Sequence, residues 1–244
     1  MRRSGLIIGL FLLVLSCTDE VSFEPDSLGL KYYPLKSGDF WIYKVTETRY
    51  RNQFAEQASD SVSYFIREQI DTVFQDLAGE TTYQFTRSRR NTPAESWGLD
   101  SVFVVNKSGT DVRLTQNNRR VVSFIFPVLE GKKWNAHIFN TQSSVNNPAE
   151  VTWYTFANVG QAAVINGTNF ANTVKVVQLA NENAIEQQDL HEVYAYGIGR
   201  IYKQKLANQY CSDPDRQNGC EIGSKFIITG IKQTEKLVER GASQ

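Results

Sequence analysis

Short segments in which apolar and polar residues alternate recur along the chain, and this pattern limits the folds open to it. Successive side chains of a β-strand point to opposite faces, so alternation with a period of two predicts a strand with one buried face. The first such segment contains Trp41, Tyr43 and Val45, and the last is 226–231. Turn-forming residues such as Lys107-Ser108-Gly109 separate the segments. Many strands joined by short turns predict an all-β fold: an antiparallel curved sheet, a sandwich, or a barrel or half-barrel.

One segment does not follow the alternating pattern. Residues 182–192 contain good helix formers and neither Gly nor Pro. We therefore expect at most one short helix, over this segment.

A turn motif occurs twice in the chain, with an offset of 93 residues. In each copy a proline follows an aromatic residue, with glycine four and tryptophan seven positions later. The anchors of the two copies are Pro34, Gly38 and Trp41, and Pro127, Gly131 and Trp134. Proline ends an extended approach, glycine permits positive φ, and tryptophan is a large core anchor. The repeat predicts two similar β-meanders, starting near 32 and 125, within a single β domain over 31–240.

The N-terminus has the features of a secretory signal. Arg2 and Arg3 precede the apolar run 6–15, which is shorter than the roughly 20 residues that span a bilayer. Val14-Leu15-Ser16-Cys17 resembles a bacterial lipobox, where signal peptidase II cuts before a cysteine that carries diacylglycerol. The resemblance implies a signal peptide over 1–16 and acyl chains such as palmitate on Cys17. The alternative is an ordinary secretory peptide that happens to contain a cysteine.

The segment after this cysteine predicts a tether and a location. Residues 17–30 contain four acidic residues, one Pro and one Gly, which is typical of a flexible linker. Asp19 and Glu20 resemble the surface-export signal of lipoproteins in Bacteroidota-type bacteria. We expect a lipid-anchored outer-membrane protein, displayed on the cell surface or otherwise facing the periplasm. The alternative is that the acidic residues only solvate the linker.

The other two cysteines form an even pair in this oxidising location. Cys211 and Cys220 bracket a run of turn-forming residues, which predicts a disulfide across a hairpin loop. A weaker alternative is a calcium loop. Its acidic and amide residues would be Asp213, Asp215, Asn218 and Glu221, but its glycine and final carboxylate are misplaced. We expect no metal site and no cofactor.

Two longer segments carry a family resemblance. Residues 32–43, YYPLKSGDFWIY, and 193–202, VYAYGIGRIY, look like segments of outer-membrane lipoproteins of Bacteroidota-type bacteria. The resemblance extends over residues 31 to about 232. It implies an all-β lipoprotein but no particular chemistry.

The sequence offers little for catalysis. The nucleophile-elbow, P-loop, His-Glu-x-x-His and Cys-x-x-Cys motifs do not occur. The two histidines, His137 and His191, are expected to be structural rather than catalytic. Twenty-six basic residues balance 26 acidic residues, so the basic surplus of a nucleic-acid binder is missing.

Two small arginine clusters are candidates for binding anionic glycans or lipopolysaccharide. They consist of Arg87, Arg89 and Arg90, and of Arg119 and Arg120. The commoner interpretation is that they are solvated residues at strand ends that guard a sheet edge.

Four sites resemble the Asp–Ser/Thr–aliphatic acceptor of Bacteroidota-type O-glycosylation. The acceptor hydroxyls would be those of Ser27, Ser61, Thr72 and Ser101. The structural alternative is that Asp-Ser is a turn exit that precedes a strand.

Taken together, these features predict a non-catalytic binding or assembly module of the cell envelope. Its partners would be the membrane, through the lipid anchor, and an unknown envelope protein, glycan or lipid. A carrier or chaperone for lipids or other hydrophobic ligands, of the half-barrel type, is the main alternative. A hydrolase of envelope glycans is a third hypothesis, which would need two close carboxylates in a cleft.

Overall fold

The computed structural model describes residues 25–51, 59–140, 152–212 and 220–242. The predicted signal peptide, Cys17 and most of the tether lie outside these ranges. Within them the chain forms twelve strands. They are β1 (Asp39–Tyr50), β2 (Ser59–Gln75), β3 (Thr81–Arg90), β4 (Gly98–Lys107), β5 (Asp111–Gln116), β6 (Arg119–Ile125), β7 (Lys133–Asn135), β8 (Trp153–Ile165), β9 (Thr168–Glu182), β10 (Glu186–Ala195), β11 (Gly199–Tyr210) and β12 (Ile227–Ala242).

All twelve strands belong to one antiparallel sheet that nearly closes into a barrel. Their order is β6-β5-β4-β3-β2-β1-β12-β11-β10-β9-β8-β7. The chain therefore makes two six-stranded meanders, β1–β6 and β7–β12, and β1 pairs with β12 where they join. The prediction of an all-β antiparallel fold is confirmed. The only helical pieces in the described part are two 3-10 turns, Pro25–Leu28 and Leu30–Tyr32.

The helix expected over 182–192 is wrong. This segment contains the end of β9, a turn and most of β10, with Leu190 opposite Leu179 and Glu192 opposite Val176. The side chain of Glu192 points inward and forms ion pairs with Arg200 and Lys203. Pairing with β9 and β11 therefore overrides a local preference for helix, which is a weak determinant over so few residues.

The two copies of the turn motif have matching backbone geometry. The N–H of Gly38 (φ 85°) donates to Ile70 O at 2.9 Å, and the N–H of Gly131 (φ 73°) donates to Phe156 O at 2.9 Å. Both glycines adopt the left-handed region, which favours a residue without a Cβ atom. Each turn leads directly into the first strand of a meander.

The two tryptophans that follow these turns are also equivalent. Both indoles are buried, and each Nε1–H donates to a backbone carbonyl: Trp41 to Ile198 O at 2.7 Å and Trp134 to Val122 O at 2.8 Å. Trp41 lies opposite Glu68 in β2, whereas Trp134 lies opposite Tyr154 in β8. Both copies of the motif therefore supply a buried tryptophan, but the residue on the neighbouring strand is charged in the first copy and aromatic in the second.

The two edge strands approach each other along a seam between β6 and the end of β7. Val122 N–H donates to Ala136 O at 2.8 Å, and Asn140 Nδ2 donates to Arg120 O at 2.9 Å. Aromatic side chains cover the inner side of this seam. Their ring centroids lie 4.8 Å apart for Phe124–Phe156 and 4.7 Å apart for Trp134–Phe156.

The segment that precedes β1 closes one end of the barrel. Lys107 Nζ donates to the carbonyls of Leu30 and Tyr33 at 2.9 and 2.7 Å, and Gly197 N–H donates to Lys31 O at 2.8 Å. Because this segment brings the chain in from its N-terminus, we call this end the N-terminal end. The side chains in the interior above it form the candidate site.

Candidate functional site

A cavity of about 250 Å³ lies inside the barrel. Aromatic side chains form much of its wall, and charged side chains form the rest. The aromatic residues are Tyr33, Trp41, Tyr43, Phe85, Phe103, Tyr154 and Tyr194, and the charged ones are Glu68, Arg87, Glu192, Arg200 and Lys203. The site therefore combines an apolar surface with fixed charges in one cavity.

Strand alternation places the charges inside. Glu68 has the same parity in β2 as the buried residues Tyr64, Ile66 and Ile70, so its side chain points to the barrel interior. Arg87 stands opposite Glu68 in β3, two residues after the buried Phe85. Glu68 and Arg87 thus occupy paired inward positions of neighbouring strands.

Arg87, Arg200, Glu68 and Glu235 form a closed network of ion pairs. These four residues, together with Glu192 and Lys203, are called the charged layer below. Arg87 contacts Glu68 at 2.7 Å and Glu235 at 2.9 Å. Arg200 contacts the same two carboxylates, at 2.9 and 3.0 Å. The guanidinium of Arg200 also lies 4.6 Å from the ring centroid of Tyr43. Each glutamate accepts from two arginines, which fixes all four side chains.

Glu192 and Lys203 extend the layer towards β10. Glu192 contacts Lys203 at 3.2 Å and Arg200 at 3.4 Å, and it accepts a hydrogen bond from the Tyr194 hydroxyl at 2.7 Å. The layer has three acids and three bases, so its net charge is zero. It can meet a neutral or zwitterionic group without leaving an uncompensated charge.

Two glutamates of this layer, Glu192 and Glu235, are held in the ionised form. Burial alone would raise the pKa of Glu235, but the charges of Arg200, Lys203 and Arg87 outweigh burial and hold the pKa well below its usual range. Burial would also raise the pKa of Glu192, but the charges of Lys203 and Arg200 bring this pKa below its ordinary value. Neither carboxyl is therefore a proton donor at neutral pH.

The tyrosines around the cavity stay protonated. Burial raises the pKa of Tyr33 and Tyr43, and it raises that of Tyr154 to about 12, with a further contribution from Glu192. Their hydroxyls are thus hydrogen-bond donors at any physiological pH. Tyr43 uses its hydroxyl to donate to Arg200 O at 3.1 Å.

The interpretation of the first arginine cluster as solvated strand ends is wrong for Arg87. Its side chain is only 18% exposed and belongs to the charged layer. Arg89 lies 3.8 Å from the ring centroid of Tyr64, and Arg90 lies 4.2 Å from that of Trp97. Arg119 and Arg120 are exposed and lie on β6, which is an edge strand as expected.

Neither histidine lines the cavity. His191 Nδ1 lies 2.7 Å from Asp189 Oδ1, and burial lowers its pKa despite this carboxylate. The pKa of His137 is also lowered, first by burial and then by Arg119. Both imidazoles are therefore neutral at pH 7.

The predicted cysteine pair and acceptor hydroxyls are placed as follows. Cys211 and Cys220 are buried and joined by a disulfide, with their Cα atoms 6.2 Å apart, whereas 213–219 lie outside the described residues. Of the four predicted acceptor residues, Ser27, Ser61 and Thr72 are exposed, and Ser101 is half-buried. The last three lie within β2 and β4, so their Asp-Ser/Thr pairs are not turn exits.

The described residues contain no group of three or more His, Cys, Asp or Glu side chains that would hold a metal ion. None of the helices in those same ranges is long and apolar enough to cross a membrane.

Comparison of the chain with protein-family models, with curated proteins and with solved structures found no match in any of the three. The site is therefore interpreted from its own geometry.

Sequence reasoning missed the charged layer, although a signal for it exists. Glu68 and Arg87 interrupt the apolar parity of their strands, and a charge at an inward position requires a partner. Glu68 and Arg87 pair with each other across β2 and β3, but their other partners are far away in sequence: 148 positions separate Arg87 from Glu235, and 132 separate Glu68 from Arg200. Only the sheet order brings them together.

Proposed function

We propose that this protein is a lipid-anchored protein of the outer membrane that binds a small amphiphilic molecule inside its barrel, without catalysing a reaction on it. The cavity carries this proposal, because it joins an aromatic wall to a charged layer of net charge zero. Ligand sites are typically apolar cavities with a few fixed polar groups. The lipid anchor is supported by the lipobox-like sequence that ends at Cys17.

The size and charge of the cavity define the ligand class. Its volume of about 250 Å³ is slightly below the roughly 300–1,000 Å³ of drug-sized pockets. It therefore suits a small molecule, or the terminal part of a longer one. The neutral charged layer favours an uncharged or zwitterionic head group. The buried Nε of Arg200 has no hydrogen-bond acceptor among the described residues and is a donor for a ligand oxygen.

The same residues weigh against a glycan hydrolase. Glycoside hydrolysis by paired carboxylates needs one carboxyl with a raised pKa to act as a general acid. Here Glu192 and Glu235 have lowered pKa values, and Glu68 and Glu235 share both arginines. A binding role requires no proton transfer and is compatible with carboxylates that stay ionised and paired.

The cavity can be tested with the neutral aromatic probe N-phenyl-1-naphthylamine. Leu114 lines the cavity, so Leu114→Trp should fill it and suppress the rise in probe fluorescence seen with the wild-type protein. Val102→Trp is the matched control, because Val102 is 47% exposed and does not line the cavity. Equal fluorescence with both variants would contradict binding in the cavity.

A further inference from the structure

The hairpin formed by β8 and β9 stands out because β8, the tip and the first half of β9 carry no charge. Residues 151–174 form a stretch of 24 residues without Asp, Glu, Lys or Arg. At the chain-wide share of 21% charged residues, a stretch of this length would carry about five. The stretch includes the hairpin tip, Ile165-Asn166-Gly167-Thr168.

The hairpin projects from the N-terminal end of the barrel. Pairing of β9 with β10 stops at Thr173, opposite Ala195, whereas pairing of β8 with β9 continues to Ile165 and Thr168. One further backbone hydrogen bond, from Tyr196 N–H to Asn172 O at 3.0 Å, marks the base of the projecting part. The four residues 168–171 then extend roughly 14 Å further, at about 3.4 Å per residue.

The projecting part exposes apolar side chains. Val164 is 68% exposed, and Ala162 and Ala171 are exposed as well. Ile165 and Phe170 are half-buried. Asparagine and threonine are the polar residues of the tip, so a polar but uncharged surface surrounds an apolar one.

The chain enters the barrel at this same end. The Tyr32 hydroxyl donates to Asn172 at the base of the hairpin, and Val128 N–H donates to Leu28 O at 3.1 Å. Cys17 precedes Pro25 by eight chain positions, which limits the distance between their Cα atoms to roughly 29 Å. An anchor on Cys17 therefore keeps this end, with its projecting hairpin, close to the bilayer.

We propose that the tip of the β8–β9 hairpin inserts into the head-group region of the membrane to which the protein is anchored; this inference rests on the proposed lipid anchor. An uncharged tip enters that region without desolvating an ion. Residues 168–171 of β9 have no partner in β10, and an open strand edge is compatible with the hydrated interface but not with the hydrocarbon core. The hairpin would act as a second contact that sets the orientation of the barrel on the membrane.

The test uses the full chain, lipidated by an expression host and reconstituted into vesicles of phosphatidylethanolamine and phosphatidylglycerol. Val164→Cys supplies a labelling site for the fluorophore NBD, and Val62→Cys is the control. Val62 is 52% exposed in the strand half that points away from the N-terminal end. We expect the label at position 164, but not at 62, to shift its emission to the blue and to be quenched by head-group-level nitroxide lipids. The unlabelled thiol at 164 should also react with maleimide more slowly in vesicles than in detergent.

Flotation of the vesicles separates this inference from the anchor. If the protein floats but both labels are equally unquenched, the hairpin contact is wrong and the anchor stands. Slow maleimide reaction at 164 without quenching by lipid would indicate a contact with protein, which also overturns the inference. Failure to float would overturn both proposals.

Discussion

The two sides of the barrel are held together in different ways. At the junction of the meanders, β1 and β12 pair along twelve residues of β1, from Asp39 to Tyr50. At the opposite seam, β6 meets the end of β7 through the Val122–Ala136 backbone bond and a few side-chain bonds. The backbone ladder is thus long on one side of the barrel and short on the other.

The interior chemistry follows this difference. The charged layer belongs to the junction side, since its members lie on β2, β3, β10, β11 and β12. On the seam side the inner surface is aromatic, with Phe124, Trp134, Tyr154 and Phe156 in mutual contact. A long backbone ladder holds its strands in register and leaves inward positions free to carry charge. Where the ladder is short, apolar packing has to supply the cohesion.

The largest effect is expected where packing replaces the ladder. Trp134→Ala removes a buried indole and its bond to Val122 O, and should lower the free energy of unfolding by about 4 kcal/mol. Trp153→Ala is the control, because this tryptophan is 55% exposed and its loss should change stability by less than about 0.5 kcal/mol. Urea denaturation measures both. Similar losses for the two variants would show that the seam does not depend on Trp134.

On the junction side, removing one charge should be the costly change. Glu235→Gln keeps the shape of a side chain that is 3% exposed, but leaves Arg87 and Arg200 undercompensated, for a loss of about 3 kcal/mol. Glu182→Gln, which breaks the exposed pair with Lys225, should leave denaturation unchanged. A stable Glu235→Gln protein would mean that the charged layer does not depend on this pairing.

The charged layer also predicts the response to acid. The folded-state pKa values of Glu192 and Glu235 lie below the unfolded value of about 4.3, so their contribution is present above that pH and is lost as pH falls through the folded values. The lowered pKa of His191 adds an earlier, smaller loss below about pH 6.5. Thermal unfolding from neutral to acid pH should show a shallower acid decline for Glu235→Gln than for wild type. Parallel curves would contradict the assignment.

A smaller effect is expected at the repeated turn. Gly131 has φ 73° and an added Cβ would meet no atom within 4 Å, so Gly131→Ala isolates backbone strain, at about 1 kcal/mol. Gly109→Ala, which is equally uncrowded but does not have a positive φ, should not destabilise the protein. Equal thermal midpoints for the two variants would show that the turn does not require a glycine.

The sequence predicts features that depend on neighbouring residues along the chain. Alternation locates strands such as β1 and β2, and the spacing of Pro, Gly and Trp locates the start of each meander. These signals are local because a pleated strand and a tight turn are set by a few residues.

Features that depend on residues in adjacent strands of the sheet could not be predicted from the sequence in this way. Residues 182–192 form a β-hairpin because β11 lies beside them, and the residues alone favour helix. The closure of the charged layer requires Arg87 and Glu235 to lie across the β1–β12 junction. A search for charged residues at apolar parity would have identified Glu68 and Arg87, which pair with each other, but not Arg200 and Glu235, which close the network.

Native mass spectrometry of the protein made in its own host tests whether the barrel holds a small amphiphilic molecule. Spectra are recorded before and after extraction with organic solvent, for wild type and for Leu114→Trp. We predict an added mass in wild type that extraction removes and that Leu114→Trp never carries. A wild-type protein that has only the mass of its chain and anchor, before and after extraction, would contradict the claim.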